Sequence, residues 1–136
     1  MSSYCAETHS GVYNDTKIAA KPKSRDKRLL RFWDRLDGFK GEVDVMVWEA
    51  ARVARHPAAL IVISEYQAII KLWCLRNEVP YRSYSPSELK KWACGHGRAT
   101  KEDMMLAASR LSGKEITQDD LADSTCLYYM AKELLI

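Results

Sequence analysis

The segment that most limits the fold is a short apolar run, VDVMVW at residues 43–48, followed by a longer apolar segment at residues 57–76. The first run is short and rich in β-branched residues, which favours a buried β-strand. The second is apolar on most faces and has the length of a helix. Such a helix is predicted to pack against a sheet on one side and another element on the other. Together they indicate an α/β domain.

The remaining segments continue this alternation. Two β-leaning segments with a turn between them predict an antiparallel hairpin at residues 4–8 and 12–18, and a further strand is predicted at residues 79–84. Apolar spacing and N-cap residues (Ser85, Thr100 and Thr117) predict helices at residues 24–36, 85–94, 100–111 and 117–134. The order β-β-α-β-α-β-α-α-α predicts a mixed sheet flanked by helices, in a single domain over residues 1–136.

Charge is unevenly distributed along the chain. Nine basic and three acidic residues lie between Lys17 and Lys40, whereas seven acidic and three basic residues lie between Glu102 and Ile136. A polyanion partner and a metal site would explain this asymmetry, although a solvated charged surface gives the same pattern.

The sequence also predicts where the protein acts. There is no signal-peptide pattern and no uninterrupted run of eighteen apolar residues, so we expect a cytoplasmic protein without a membrane segment. The four cysteines show no CxxC spacing, so they are predicted to be reduced thiols rather than zinc ligands.

Three carboxylates are candidate functional residues. Glu49 directly follows the buried strand, and functional groups in open α/β sheets gather at such strand ends. Asp120 and Asp123 are three residues apart on the last helix and face the same way, so a divalent cation such as Mg²⁺ would relieve their repulsion. Structural explanations remain open, because Glu49 can mark where a strand leaves the core and Asp120 can complete a capping box with Thr117.

A second candidate is the loop in the segment KKWACGHGRATK at residues 90–101. Its glycines allow a close backbone approach to a ligand, and it leads into a helix N-terminus, which favours phosphate. An ordinary helix–loop–helix connection would look similar. His96 is either a general base, a ligand or a surface residue, and Trp92 is either a core residue or a base-stacking platform.

Four motifs, in order and at similar spacing, resemble the RuvC family of Holliday junction resolvases (crossover junction endodeoxyribonucleases), especially its short phage-type members. They are VWE at residues 47–49, YSPSELKK at 84–91, the G-x-G-x-A-x-K pattern at 95–101 and DLADS at 120–124, where Ser124 replaces the family's last alanine. The resemblance covers roughly residues 4–136.

The resemblance implies an RNase H-like fold and a homodimer that cuts branched DNA with Mg²⁺ or Mn²⁺. It implies that Glu49, Asp120 and Asp123 are metal ligands and that Lys101 lies near the scissile phosphate. The residues expected to contact DNA are Lys90, Lys91, Gly95, Gly97, Arg98 and Lys101, together with Arg28 and Arg31 on the basic face of the helix at residues 24–36.

One departure from the family pattern affects the expected activity. The family begins with a strand that ends in its first catalytic aspartate, whereas residues 3–6 here resemble the start of the family's second strand, and Asp15 does not substitute. We therefore expect a shortened chain that lacks the first strand and one of four metal ligands. The alternatives to an active nuclease of branched DNA are a catalytically inactive or truncated branched-DNA-binding protein, and an RNase H-like nuclease with another branched or hybrid substrate.

Overall fold

The computed structural model describes residues 2–5, 10–13, 22–50 and 56–135. The elements in this part follow the predicted order, which confirms the α/β class. They are β1 (Ser2–Cys5), β2 (Ser10–Tyr13), α1 (Pro22–Asp37), β3 (Met46–Glu49), α2 (Pro57–Arg76), β4 (Tyr81–Tyr84), α3 (Pro86–Cys94), α4 (Lys101–Ser112) and α5 (Asp119–Leu134).

The strands form two separate pairs in the described residues, where a single mixed sheet was expected. β1 and β2 are antiparallel, with a register that runs from Ser2 opposite Tyr13 to Cys5 opposite Ser10. β3 pairs with β4 in the other sheet. The predicted hairpin is therefore present with earlier bounds, and residues 6–9 and 14–18 of that prediction lie outside the described residues. Among the described residues, no strand is hydrogen-bonded to both pairs.

The chain divides into two compact units. The first consists of Met1–Asn14, Val47–Glu49 and Ser83–Ile136, and the second of Asp15–Met46 and Ala50–Arg82. The single domain over residues 1–136 stays a prediction. All three candidate carboxylates lie in the first unit.

The first unit is built around the packing of α4 on α5, which also contacts the β1–β2 hairpin and α3. Ala108, Ala122 and Cys126 are fully buried, and Leu89 and Met104 are nearly so. Ala108, Ala122 and Cys126 have small side chains, which suits close packing of α4 on α5. A well-packed core therefore supports both helices.

The second unit contains α1 packed on α2. The rings of Phe32 and Tyr66 meet edge to face, with centroids 4.9 Å apart. The fully buried Trp73 donates a hydrogen bond from Nε1 to Oδ1 of Asp37, the last residue of α1, at 2.7 Å. The two helices are thus joined by an aromatic contact and a polar contact.

The exposed surface of α2 contradicts the prediction that this helix is covered on both sides. Ile61, Leu72 and Leu75 are more than half exposed. The exclusion of a membrane segment was also too strong, because α2 is long and apolar enough to cross a membrane by length and composition alone. That observation is weak, since core helices of soluble proteins meet the same criterion.

Of the three predicted N-cap residues, two are confirmed and one is wrong. Ser85 caps α3 in a capping box with Glu88, and Thr100 caps α4 in a capping box with Asp103. The predicted box from Thr117 to Asp120 does not form, because α5 begins later, with Gln118 at the N-cap and no side-chain cap hydrogen bond. The capping box with Asp120 is therefore wrong, whereas Asp120 does lie in the first turn of α5, where an acidic residue favours the helix dipole.

These two threonines give a direct test of the helix boundaries. Thr100→Ala should lower the free energy of unfolding by about 1 kcal/mol, because the N–H of Asp103 loses its side-chain acceptor. Thr117→Ala should change it by less than about 0.5 kcal/mol, because Thr117 is exposed and caps nothing. Urea denaturation of both variants measures the difference, and equal losses would contradict the assigned start of α5.

Candidate active site

A cleft of about 150 Å³ in the first unit collects most of the predicted catalytic side chains. Four elements contribute to it: the end of β3, α3, and the starts of α4 and α5. It is lined by Glu49, Pro86, Leu89, Lys90, Thr100, Lys101, Met104, Asp119 and Asp123. The residue types at its wall are therefore carboxylates, two lysines and a few apolar side chains from the core.

Glu49 reaches this cleft because it is the last residue of β3. Burial raises the pKa of Glu49, the charge of Lys90 lowers it, and the charge of Asp120 raises it. The net direction is upward, so the surroundings disfavour the ionised carboxylate. Glu49 is therefore a partly buried carboxyl group at the edge of the cleft.

Asp123 is the most perturbed carboxyl group at the site. Burial raises its pKa to about 7, with further upward contributions from Glu49, Asp120 and Asp119 and an opposing one from Lys90. Asp120 interacts electrostatically with both Glu49 and Asp123 but does not line the cleft itself. The three candidate carboxylates therefore lie within electrostatic range of one another.

The two lysines of the α3 pair differ in their position. Lys90 is half-buried, lines the cleft and interacts with Glu49 and Asp123, whereas Lys91 is exposed and does not line it. Lys90 therefore offsets part of the carboxylate repulsion, which Lys91 does not do.

Lys101 lies at the cleft as the first residue of α4, and its ion-pair partner is one that the sequence did not single out. Lys101 Nζ is 3.2 Å from Oδ2 of Asp119, and this contact is the main reason that the pKa of Asp119 is lowered. Sequence reasoning singled out Asp120 and Asp123 and gave Asp119 no role. The available signal was a third carboxylate directly before Asp120.

The glycine loop between α3 and α4 has a structural role for at least one of its glycines. Gly95 ends α3 with a φ of 87°, a conformation that L side chains rarely adopt. Gly97 packs near Ser87, where an added Cβ would lie 3.5 Å from the Ser87 Cβ in ordinary contact. His96 and Arg98 are exposed. The loop is open to a ligand, and its shape follows first from helix termination.

Trp92 is held by the first unit rather than presented as a stacking platform. Its Nε1 donates a hydrogen bond to Oε2 of Glu133 on α5 at 2.7 Å, and the ring packs partly against the core. Ser124, the departure from the family's alanine, is buried and satisfies its hydroxyl by donating to the carbonyl of Leu121 at 3.1 Å. The serine is therefore accommodated without an unpaired polar atom.

Arg28 and Arg31 lie on α1 in the second unit. Arg31 is exposed and Arg28 is half-buried. The basic helix predicted at residues 24–36 is thus present as α1 (Pro22–Asp37).

The donor chemistry of the cleft suits a hard divalent cation, since such ions prefer carboxylate oxygens. Burial is the main cause of the raised pKa of Asp123, and a cation would relieve the carboxylate repulsion that adds to it. Over the described ranges, however, no group of three or more His, Cys, Asp or Glu side chains is arranged so that it could hold a metal ion. Glu49, Asp120 and Asp123 therefore fit Mg²⁺ or Mn²⁺ by chemistry but do not form a closed set of ligands.

Comparison with solved structures identifies the fold. RuvC from Thermus thermophilus superimposes with a TM-score of 0.73 at 18% identity, covering 93% of this chain and 78% of that one. The T. thermophilus RuvC structure in complex with a Holliday junction substrate gives 0.72 at 16% identity, covering 93% and 80%. The chain therefore has the RNase H-like α/β fold.

Sequence relatives place the chain more closely within that class. It is 31% identical over 104 residues to crossover junction endodeoxyribonuclease RuvC from Caldicellulosiruptor saccharolyticus, covering 74% of this chain and 63% of the relative. It is 30% identical over 74 residues to the RuvC of Brachyspira hyodysenteriae, covering 54% and 46%. No protein-family model matches the chain. By sequence and by fold, the chain is thus similar to RuvC proteins.

The chain spans only part of these relatives. The first three curated RuvC proteins that it matches are covered over 46%, 55% and 63% of their length.

The raised pKa of Asp123 predicts how stability depends on pH in metal-free protein. Between the ordinary value of 3.8 and about 7, the folded state binds more protons at this group than the unfolded state, so stability falls as the pH rises. Asp123→Asn should remove this part of the slope and raise the melting temperature at about pH 8. Thermal melts with a chelator from about pH 4 to about pH 8 measure it.

The control for this experiment is Glu115→Gln, which neutralises an exposed carboxylate in the α4–α5 loop. The control should keep the wild-type slope. The same slope in Asp123→Asn would show that the cleft does not disfavour the Asp123 carboxylate.

Proposed function

We propose that this chain is a metal-dependent, structure-specific endonuclease that cuts branched DNA such as Holliday junctions, in recombination, repair or phage DNA processing. The observation that carries the proposal is the meeting of Glu49, Asp123 and Lys101 at one cleft, with Asp120 in electrostatic range. These are the positions at which the chain resembles the RuvC motifs. The similarity to crossover junction endodeoxyribonucleases supports the same reaction.

In this proposal Glu49, Asp120 and Asp123 hold Mg²⁺ or Mn²⁺. Such ions activate a water molecule and stabilise the charge that develops on a phosphate during in-line displacement. The protein's own contribution is to gather the carboxylates in a partly buried cleft, where their charges repel one another. Lys90 limits that repulsion, because its ammonium lies in electrostatic range of both Glu49 and Asp123.

DNA binding is proposed to come mainly from phosphate contacts. Lys101 and Lys90 lie at the cleft, and the exposed Lys91, Arg98, Gly95 and Gly97 lie on α3 and the loop that follows it. Arg28 and Arg31 on α1 would add sequence-independent affinity that falls with salt. The solved complex of T. thermophilus RuvC with a Holliday junction substrate supports a branched duplex as the ligand. A protein that acts on DNA in this way is proposed to work in the cytoplasm of a bacterial or phage-infected cell.

A second candidate is a branched-DNA-binding protein of the same fold that does not cut. The observation in its favour is that the described carboxylates form no ready group of three metal ligands. Such a protein would bind junctions through the same lysines and arginines without consuming them.

Replacing Glu49 separates these two functions. Glu49→Gln keeps the size of the side chain and removes its charge, so cleavage of a four-way junction should fall. Mutating a residue that only supports a metal ligand typically costs about 10–100-fold, and the loss expected for Glu49→Gln is larger. Junction affinity should stay nearly the same, because it comes from phosphate contacts. Cleavage and gel-shift assays with Mg²⁺, Mn²⁺ or chelator measure both properties.

Glu115→Gln serves as the matched control and should cut like the wild type. A wild-type protein that binds the junction but cuts nothing with either metal would favour the non-catalytic binder. A wild-type protein that prefers linear duplex would contradict both candidates.

We also propose that the protein is a homodimer that uses the exposed face of α2. Five exposed residues share this face, and we call them the α2 stripe: Ile61, Ser64, Ala68, Leu72 and Leu75. Small residues at the centre and large aliphatic ones at both ends suit close packing of a second helix. Covering the stripe would remove from water the exposed side chains of Ile61, Leu72 and Leu75.

Charges placed in the α2 stripe should therefore give a monomer. Ile61→Lys with Leu75→Lys should halve the mass measured by light scattering at concentrations where the wild type is a dimer. Leu106→Lys on α4 is the control, since Leu106 is as exposed as these residues (59%) but lies outside the stripe. A monomeric wild type, or a dimer that survives both lysines, would contradict the proposed interface.

A further inference from the structure

We propose that Asp119 is a positioning residue for Lys101, and that the carboxylate holds the lysine ammonium at the cleft where the phosphate is to be cut. The expected effect of Asp119 on DNA cleavage rests on the proposed nuclease function, whereas the contact between Asp119 and Lys101 does not. It adds a residue that lies outside the D-x-A-D pattern at Asp120 and Asp123.

The geometry makes Asp119 a bridge between two helices. Its Oδ1 accepts a hydrogen bond from the backbone N–H of Asp120 at 3.1 Å, and its Oδ2 lies 3.2 Å from Nζ of Lys101. One oxygen is thus anchored on the N-terminus of α5, while the other holds the first side chain of α4. Because both oxygens are engaged, the direction of the carboxylate is set from two sides.

The packing of α4 on α5 lies beneath the contact between Lys101 and Asp119. α4 and α5 meet through Met104, Ala108, Ala122 and Cys126, all of which are buried. Met104 and Ala122, each the fourth residue of its helix, belong to one buried cluster, so the core extends to the first turns that carry Lys101 and Asp119. The Lys101–Asp119 contact is therefore a product of the helix packing and not of two independently mobile surface chains.

The other acidic side chains at the cleft do not play this part. Burial is the main cause of the raised pKa values of Glu49 and Asp123, and the charge of Asp120 raises both further. Asp119 also contributes to that field, but its own pKa is lowered, mainly by the hydrogen bond and the charge of Lys101. Asp119 thus has a direct ionic contact with Lys101.

A positioning role matches the strength of this contact. The Lys101 side chain is 77% exposed and that of Asp119 is 47% exposed. Exposed ion pairs contribute little to folding stability, so this one restrains a long, flexible side chain without locking it. The Lys101 ammonium can therefore leave the Asp119 carboxylate and contact a phosphate that enters the cleft, which Lys101 already lines.

The first test measures the contact without any cleavage. The ammonium group of Lys101 can be followed by nitrogen NMR, with Lys101→Ala identifying its signal. In Asp119→Asn the ammonium should become more mobile and exchange faster with water, whereas Asp119→Glu should preserve most of the wild-type order and Glu115→Gln all of it. An unchanged Lys101 signal in Asp119→Asn would overturn the proposal even in a protein that cuts no DNA.

The second test is a double-mutant cycle on junction cleavage at saturating Mg²⁺. Asp119→Asn keeps the acceptor for the Asp120 N–H but loses the charge, so kcat should fall about three- to fivefold with KM nearly unchanged, as expected for one exposed ion pair. In a Lys101→Ala background the same substitution should have no further effect, because the residue through which Asp119 acts is gone.

The outcomes separate this proposal from failure of the nuclease function. A wild type that binds but does not cut would sink the nuclease function, and the NMR result would still decide the role of Asp119. A loss that persists in the Lys101→Ala background, together with a higher Mg²⁺ requirement, would make Asp119 a metal ligand and overturn the positioning role.

Discussion

The close packing of α4 against α5 is the interaction on which the rest of the site depends. Ala108, Ala122 and Cys126 are fully buried where the helices meet, so their backbones approach closely. This approach brings the two helix N-termini together and sets Lys101 beside Asp119. It also presents Asp120 and Asp123 toward the end of β3, where Glu49 stands. The chemistry of the cleft thus follows from small side chains in the core behind it.

The cleft concentrates negative charge that the fold itself does not neutralise. Lys90 offsets part of the repulsion between Glu49 and Asp123, yet the pKa of Asp123 remains near 7. Such a site costs folding free energy at neutral pH, because carboxylates are held where ionisation is disfavoured. A divalent cation bound between the carboxylates would reduce that cost.

The α2 stripe also carries an unfavourable feature, which is apolar surface exposed to water. α2 buries Trp73 and Cys74 but exposes Ile61, Leu72 and Leu75 in the described structure. A second copy of the chain would cover them, and charged variants of the stripe can test that assembly separately from the cleft.

The sequence by itself determined the order and type of the elements, because apolar periodicity and caps such as Ser85 and Thr100 act over a few residues. It also identified Glu49, Asp120, Asp123 and Lys101 as candidates, through strand-end position, spacing and motif resemblance. The separate strand pairs, the exposed α2 stripe, the start of α5 after Gln118 and the partnership of Lys101 with Asp119 were decided by tertiary structure. These features depend on which surfaces meet across distant parts of the chain, and no local pattern of residues encodes that.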